Sequence, residues 1–120
     1  RVSPYLDAEG AAKVTKELMM LDNKPTCIMY PDDFAAFGGI MAIREMGYRI
    51  PEDVSVAGYD GLSISRAISP TLTTLVQDTK AIGKHAAECL LREIENPSIS
   101  FPERISIQGH LQKGKTVKLM

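Results

Sequence analysis

Polar residues follow three short apolar runs: Asp32 and Asp33 after residues 26–30 (whose last member is Tyr30), Tyr59 and Asp60 after 54–58, and Gln77 and Asp78 after 72–76. A carboxylate in such a place grips a hydroxyl or a ring N–H by charge-assisted hydrogen bonds. An aromatic ring beside it covers the apolar face of the same guest. The chemistry is therefore binding of a small polar molecule. Asp33 and Asp78 have a plainer use as helix caps. Asp32 and Asp60 are harder to assign that way, because each directly follows a strand-like run and Gly61 after Asp60 permits an unusual turn.

A second pattern invites an enzyme reading. Residues 109–116, GHLQKGKT, match the glycine-rich loop whose amides, lysine and hydroxyl cradle a nucleotide phosphate. That loop must follow a strand and open a helix, yet four residues remain after Thr116, and Val117 and Leu119 alternate as a strand does. A hairpin turn at Lys113-Gly114 is expected instead. His85 and His110 have no nucleophile or acid at a suggestive spacing, and no zinc spacing or nucleophile elbow occurs. No catalytic residue, cofactor or metal is expected. Cys27 and Cys89 lie far apart, without a CxxC, and read as reduced, buried thiols of a cytoplasmic protein.

The elements that must hold the acids alternate. Asp7 caps a helix to about residue 22 with the stripe Ala11, Val14, Leu18 and Leu21. Residues 26–30 form a parallel strand covered on both faces, and Asp32 or Asp33 caps a helix to about 46. In that helix Phe34, Phe37, Ile40, Met41 and Ile43 are too dense for one narrow stripe, so it is buried on more than one side. Gly47 suits its left-handed terminus. Strand 54–58, a short helical piece over 62–67, strand 72–76 and a long helix from Asp78 or Thr79 to 95 follow, and strands over 104–108 and 116–120 close the chain. Strands alternating with helices imply an α/β fold with a mainly parallel sheet and right-handed crossovers. The chain begins with Arg1 and opens on a helix with no strand before it, so part of the fold is expected upstream.

With 120 residues, 44% apolar and 24% charged, the composition is that of one globular domain. A net charge of −1 is a poor footprint for nucleic acid, since affinity for a polyanion comes from clustered Lys and Arg. No apolar run approaches the ~20 residues of a bilayer span, and no membrane partner is expected.

Residues 50–60, IPEDVSVAGYD, together with SPTLTT at 69–74, DDFAAFG at 32–38 and Ile82-Gly83 with the helix after it, resemble the LacI/GalR transcriptional regulators in order and spacing. The resemblance implies a three-layer, periplasmic-binding-protein-like sandwich of type I, truncated here. Residues 1–68 would be the C-terminal subdomain of an effector-binding domain without its first βα unit. Residues 69–120 would be a crossover strand, a helix of the absent N-terminal subdomain, and returning strands. It also implies an effector, sugar or similar, touched by Asp32, Phe34, Tyr59, Asp60 and Gln77. A homodimer would meet through Phe37, Ile40, Ile43 and Ile68, and operator DNA would be read only by a helix-turn-helix outside this chain. Asp32 stands where the family has Asn, exchanging a donor-and-acceptor for an acceptor only, and Gly61 stands where it has a second acid; both departures imply an effector unlike lactose-type sugars. A periplasmic sugar-binding protein of an uptake system is the alternative. The stripe Ile82, Ala86, Leu90 and Ile94 would lack its usual partner, so that helix is expected to fold back or pair with a second copy.

Overall fold

The computed structural model describes residues 7–97 and 104–118. The chain divides into two compact units, Arg1–Val76 with Leu111–Met120, and Gln77–His110. The division falls after Val76, later than the expected residue 68, because the crossover strand is hydrogen-bonded into the first unit's sheet.

In the first unit the order is α1 (Ala8–Met19), β1 (Cys27–Met29), α2 (Asp33–Glu45), β2 (Ser55–Asp60), α3 (Ile64–Ala67) and β3 (Thr73–Val76). β1 pairs with β2 and β2 with β3, both parallel, with Cys27 opposite Ser55 and Asp60 opposite Val76. The parallel α/β reading therefore stands. α1 begins where the Asp7 carboxylate accepts the Gly10 N–H. Its buried face is Ala11, Thr15 and Met19, one register away from the expected stripe, and Leu21 is exposed beyond the helix. A threonine can occupy that face because its hydroxyl donates to Ala11 O at 2.7 Å and meets the Tyr30 hydroxyl at 2.6 Å. Tyr30 is thus a core residue and does not face a ligand; burial pushes its hydroxyl pKa up.

α2 is buried broadly, as its apolar density predicts, through Ala35, Ala36, Gly38, Gly39, Ile40, Ala42 and Ile43. Ile40 and Ile43 lie fully inside the core, so they have no surface to offer a second copy. Phe37 and Ile68 are half-buried. Gly47 closes the helix with φ 81°, its N–H reaching Arg44 O and the Tyr48 N–H reaching Ile43 O. β1 is not covered on both faces: Ile28 is buried, but Cys27 and Met29 are exposed at the sheet edge. Cys27 is therefore a free surface thiol, contrary to the expected buried one, while Cys89 is half-buried and, among the described residues, not in a disulfide.

Where β2 begins, the Arg49 guanidinium and backbone N–H hold both oxygens of Asp53 at 2.7–2.9 Å. The Arg49 hydrogen bonds lower the Asp53 pKa from 3.8 to about 2. The folded value lies below the unfolded one. The pair's stabilisation is thus complete above about pH 4 and disappears as pH falls through about 2. Asp53→Asn should accordingly lower the urea midpoint at pH 7 while the gap to the parent protein narrows between about pH 4 and pH 2. A gap independent of pH would show that the pair does not act through this ionisation.

The end of the chain differs from expectation. Residues 104–109 form no strand, β4 is His110–Gln112 beyond β3 in the sheet order β1-β2-β3-β4, and residues 113–118 are irregular. The hairpin is replaced by direct stitching. The Gly114 N–H donates to Thr73 Oγ1 at 3.1 Å and the Lys115 N–H to Thr71 O at 2.6 Å. Buried Thr116 accepts from Thr73 N with its hydroxyl and donates that hydroxyl to Val56 O. The Leu119 end of the expected last strand lies outside the described residues.

The second unit holds α4 (Thr79–Glu95), capped where the Asp78 side chain accepts the Ala81 N–H at 2.9 Å. No residue of α4 is fully buried: Ile82, Leu90 and Ile94 are 40–65% exposed. Ile82 and Ala86 share a shallow hollow with Ile105 and Ile107, so among the described residues the segment after α4 returns over the first half of the stripe. Among the described residues no helix is long and apolar enough to cross a membrane.

Candidate functional site

The parallel pairing of β1 and β2 brings their carboxyl ends together, where a sheet of this kind presents its ligand-binding loops. An open hollow of about 530 Å³ lies there, lined by Asp7, Ala8, Asp32, Phe34, Asp60 and Leu62. Asp32 and Asp7 are both helix caps, accepting Ala35 N at 2.8 Å and Gly10 N at 2.7 Å. Capping engages one Asp32 oxygen, Oδ1, and a carboxylate has about four acceptor sites. Capping and ligand contact are therefore compatible here. The Phe34 ring is 55% exposed at the start of α2, an apolar surface beside three acids.

Asp60 ends β2 with φ 101°, and Gly61 follows with φ 74°. A positive φ in a residue with a Cβ costs on the order of 1–3 kcal/mol and persists where its surroundings hold it, commonly at functional sites. At Gly61 an added Cβ would meet Val76 Cα at 2.8 Å, so the turn closes against β3. Leu62 then donates its N–H to Asp33 Oδ2 at 2.6 Å.

The expected residues are thus only partly assembled. Asp32, Phe34 and Asp60 share the hollow. Tyr59 does not line it; consecutive strand residues face opposite ways, so placing Asp60 there turns Tyr59 aside. Gln77 follows β3 and belongs to the second unit. Sequence reasoning missed Asp7, Ala8 and Leu62 as walls. It also took Asp33 for a cap, whereas Asp32 is the cap and Asp33 is fully buried. Thr74, the last residue of the SPTLTT stretch, donates its hydroxyl to Asp33 Oδ1 at 2.6 Å. The phosphate-loop reading has no counterpart: among the described residues no helix opens after Lys115, and the amides of Gly114 and Lys115 are bonded to Thr73 and Thr71.

Residues 2–117 match the family model described as a periplasmic binding protein-like domain. The chain is similar to the ribose operon repressor of Haemophilus influenzae, 36% identical over 100 residues, which cover 83% of this chain and 30% of that protein. It is similar to the HTH-type transcriptional repressor PurR of Aliivibrio fischeri, 40% identical over 90 residues, covering 74% of this chain and 27% of that repressor. The solved structure of a LacI family transcriptional regulator from Enterococcus faecium, with bound ribose, superposes at a TM-score of 0.81 with 31% identity, covering 92% of this chain and 40% of that one. The chain spans about a third of the length of such curated relatives. It belongs to the periplasmic binding protein-like domain family.

Proposed function

We propose that this chain is the effector-sensing part of a bacterial LacI-type transcriptional regulator, and that its strand-end hollow is one wall of the effector site. The carrying observation is the convergence of Asp32, Phe34 and the positive-φ Asp60 on one hollow at the carboxyl ends of parallel strands. Carboxylates that only accept, beside an exposed ring, suit a guest rich in hydroxyl donors with an apolar face, which describes a sugar. Ribose is the natural first probe, since a ribose operon repressor and a ribose-bound regulator are among the similar proteins. The protein acts by binding, in the cytoplasm where its operator lies, and catalyses no reaction. DNA is read by a helix-turn-helix outside this chain, and a homodimer forms with Phe37 and Ile68 at the contact. The exposed stripe of α4 packs on a subdomain outside this chain. The uptake-protein alternative is disfavoured because the curated relatives above carry repressor names.

Effector binding shifts operator affinity only if one closure state binds it better than the other. In the full-length protein, Asp60→Ala should weaken ribose binding by about tenfold to a hundredfold in isothermal titration, the range for losing hydrogen bonds to a charged group. Operator release by ribose should weaken in parallel. Unchanged affinity in the variant would remove Asp60 from the site and with it the reading of the hollow.

A further inference from the structure

We infer that Asp33 is the positioning residue of this site: its buried carboxylate pins the turn after β2 and thereby aims Asp60. The inference rests on the effector-site reading above. Asp33 is 0% exposed and is not among the residues lining the hollow, so it does not touch a guest itself. Its two oxygens go to two different elements. Oδ2 takes the Leu62 N–H and Oδ1 the Thr74 hydroxyl, both at 2.6 Å. The carboxylate sits in the first turn of α2, where the helix dipole favours negative charge. One side chain therefore joins α2, the turn and β3.

The location of the first bond gives it leverage. Asp60 and Gly61 are two successive residues of positive φ, and Leu62 is the first residue beyond them. Pinning the Leu62 N–H fixes the far end of the turn, while β2's pairing of Asp60 with Val76 fixes the near end. With both ends held, the Asp60 backbone has no route to an ordinary φ. Gly58 belongs to the same device: its missing Cβ leaves the room Asp33 Oδ1 occupies.

Two variants separate a hydrogen-bonding post from a charge. Asp33→Ala removes both bonds. Asp33→Asn retains a carbonyl oxygen for the Leu62 N–H and an N–H for the Thr74 hydroxyl. In the ligand-free full-length protein, NMR couplings should show residue 60 leaving positive φ in Asp33→Ala and keeping it in Asp33→Asn. Amide exchange at Leu62 should rise by about tenfold or more in the alanine variant alone. A positive φ retained at residue 60 in Asp33→Ala overturns the inference. If that variant does not fold, Asp33→Ser, too short to span both donors, takes its place under the same criterion.

A double-mutant cycle with ribose gives the readout that a merely structural role would not move. Asp33→Ala should weaken binding by about tenfold when Asp60 is present and add no further loss in an Asp60→Ala background. Equal losses in both backgrounds would overturn the inference while leaving the site reading intact. A parent protein that does not bind ribose counts against the pentose reading, and the ligand-free NMR result then decides the role of Asp33 by itself.

Discussion

Gly38→Ala should lower the unfolding free energy by about 2–3 kcal/mol, the cost of forcing atoms into a packed interior. The sign is informative, because glycine inside a helix is ordinarily worse than alanine by about 1 kcal/mol. By propensity alone the substitution should stabilise α2. At Gly38, however, an added Cβ would lie 2.6 Å from the carbonyl carbon of Ala8 and 2.8 Å from its Cα, besides overlapping its oxygen. Those atoms are backbone in the first turn of α1, so no side-chain rotation relieves them. The two helices must separate, and the side of the hollow formed by Asp7 and Ala8 moves with α1. Urea unfolding measures the loss, and ribose titration of the folded fraction should show weakened affinity beside it. A neutral or stabilising Gly38→Ala would mean that the helices do not cross as closely as described.

Much of this was legible in the sequence, for identifiable reasons. The β-branched runs that became β2 and β3 lie between turn-forming residues, and α4 starts at its cap and ends before Asn96-Pro97, so local chemistry alone marks these elements. Asp60 was legible because an acid before a glycine at a strand end has few structural uses. Asp32 and Asp33 were exchanged in part: either can cap a helix, and only the tertiary position of Leu62 and Thr74 decides which one is buried. The buried face of α1 was misread because an apolar count passes over Thr15, whose hydroxyl is satisfied only once Tyr30 is beside it. Ile40 and Ile43 were placed at a contact between copies by family resemblance, but α2 packs against both α1 and β2 and leaves them no surface.

The last segment was the least legible, since alternation predicts a strand pair where the described residues form none, and it carries the other large expected effect. β2 pairs with β3 only from Ala57 and Thr73 onward, so the edge of β2 at Val56 has no strand partner there. Thr116 fills the gap. Its carbonyl accepts the Val56 N–H at 2.8 Å, and its hydroxyl donates to Val56 O at 2.7 Å and accepts from Thr73 N at 2.9 Å. Thr116→Val keeps the shape and the β-branch but takes the hydroxyl partner from the buried Val56 O, at a cost of about 1–3 kcal/mol, and from the part-buried Thr73 N–H at a smaller one. Thr116→Ser keeps the hydroxyl and loses one methyl, about 1 kcal/mol. Chemical unfolding should therefore rank the serine variant above the valine variant by about 1 kcal/mol or more. An account of this segment by hydrophobic burial alone requires the reverse order, since valine buries more apolar surface than serine. Valine at or above serine would show that the tail is held by burial, and that the hydroxyl lying between β2 and β3 is incidental to the closure of the sheet.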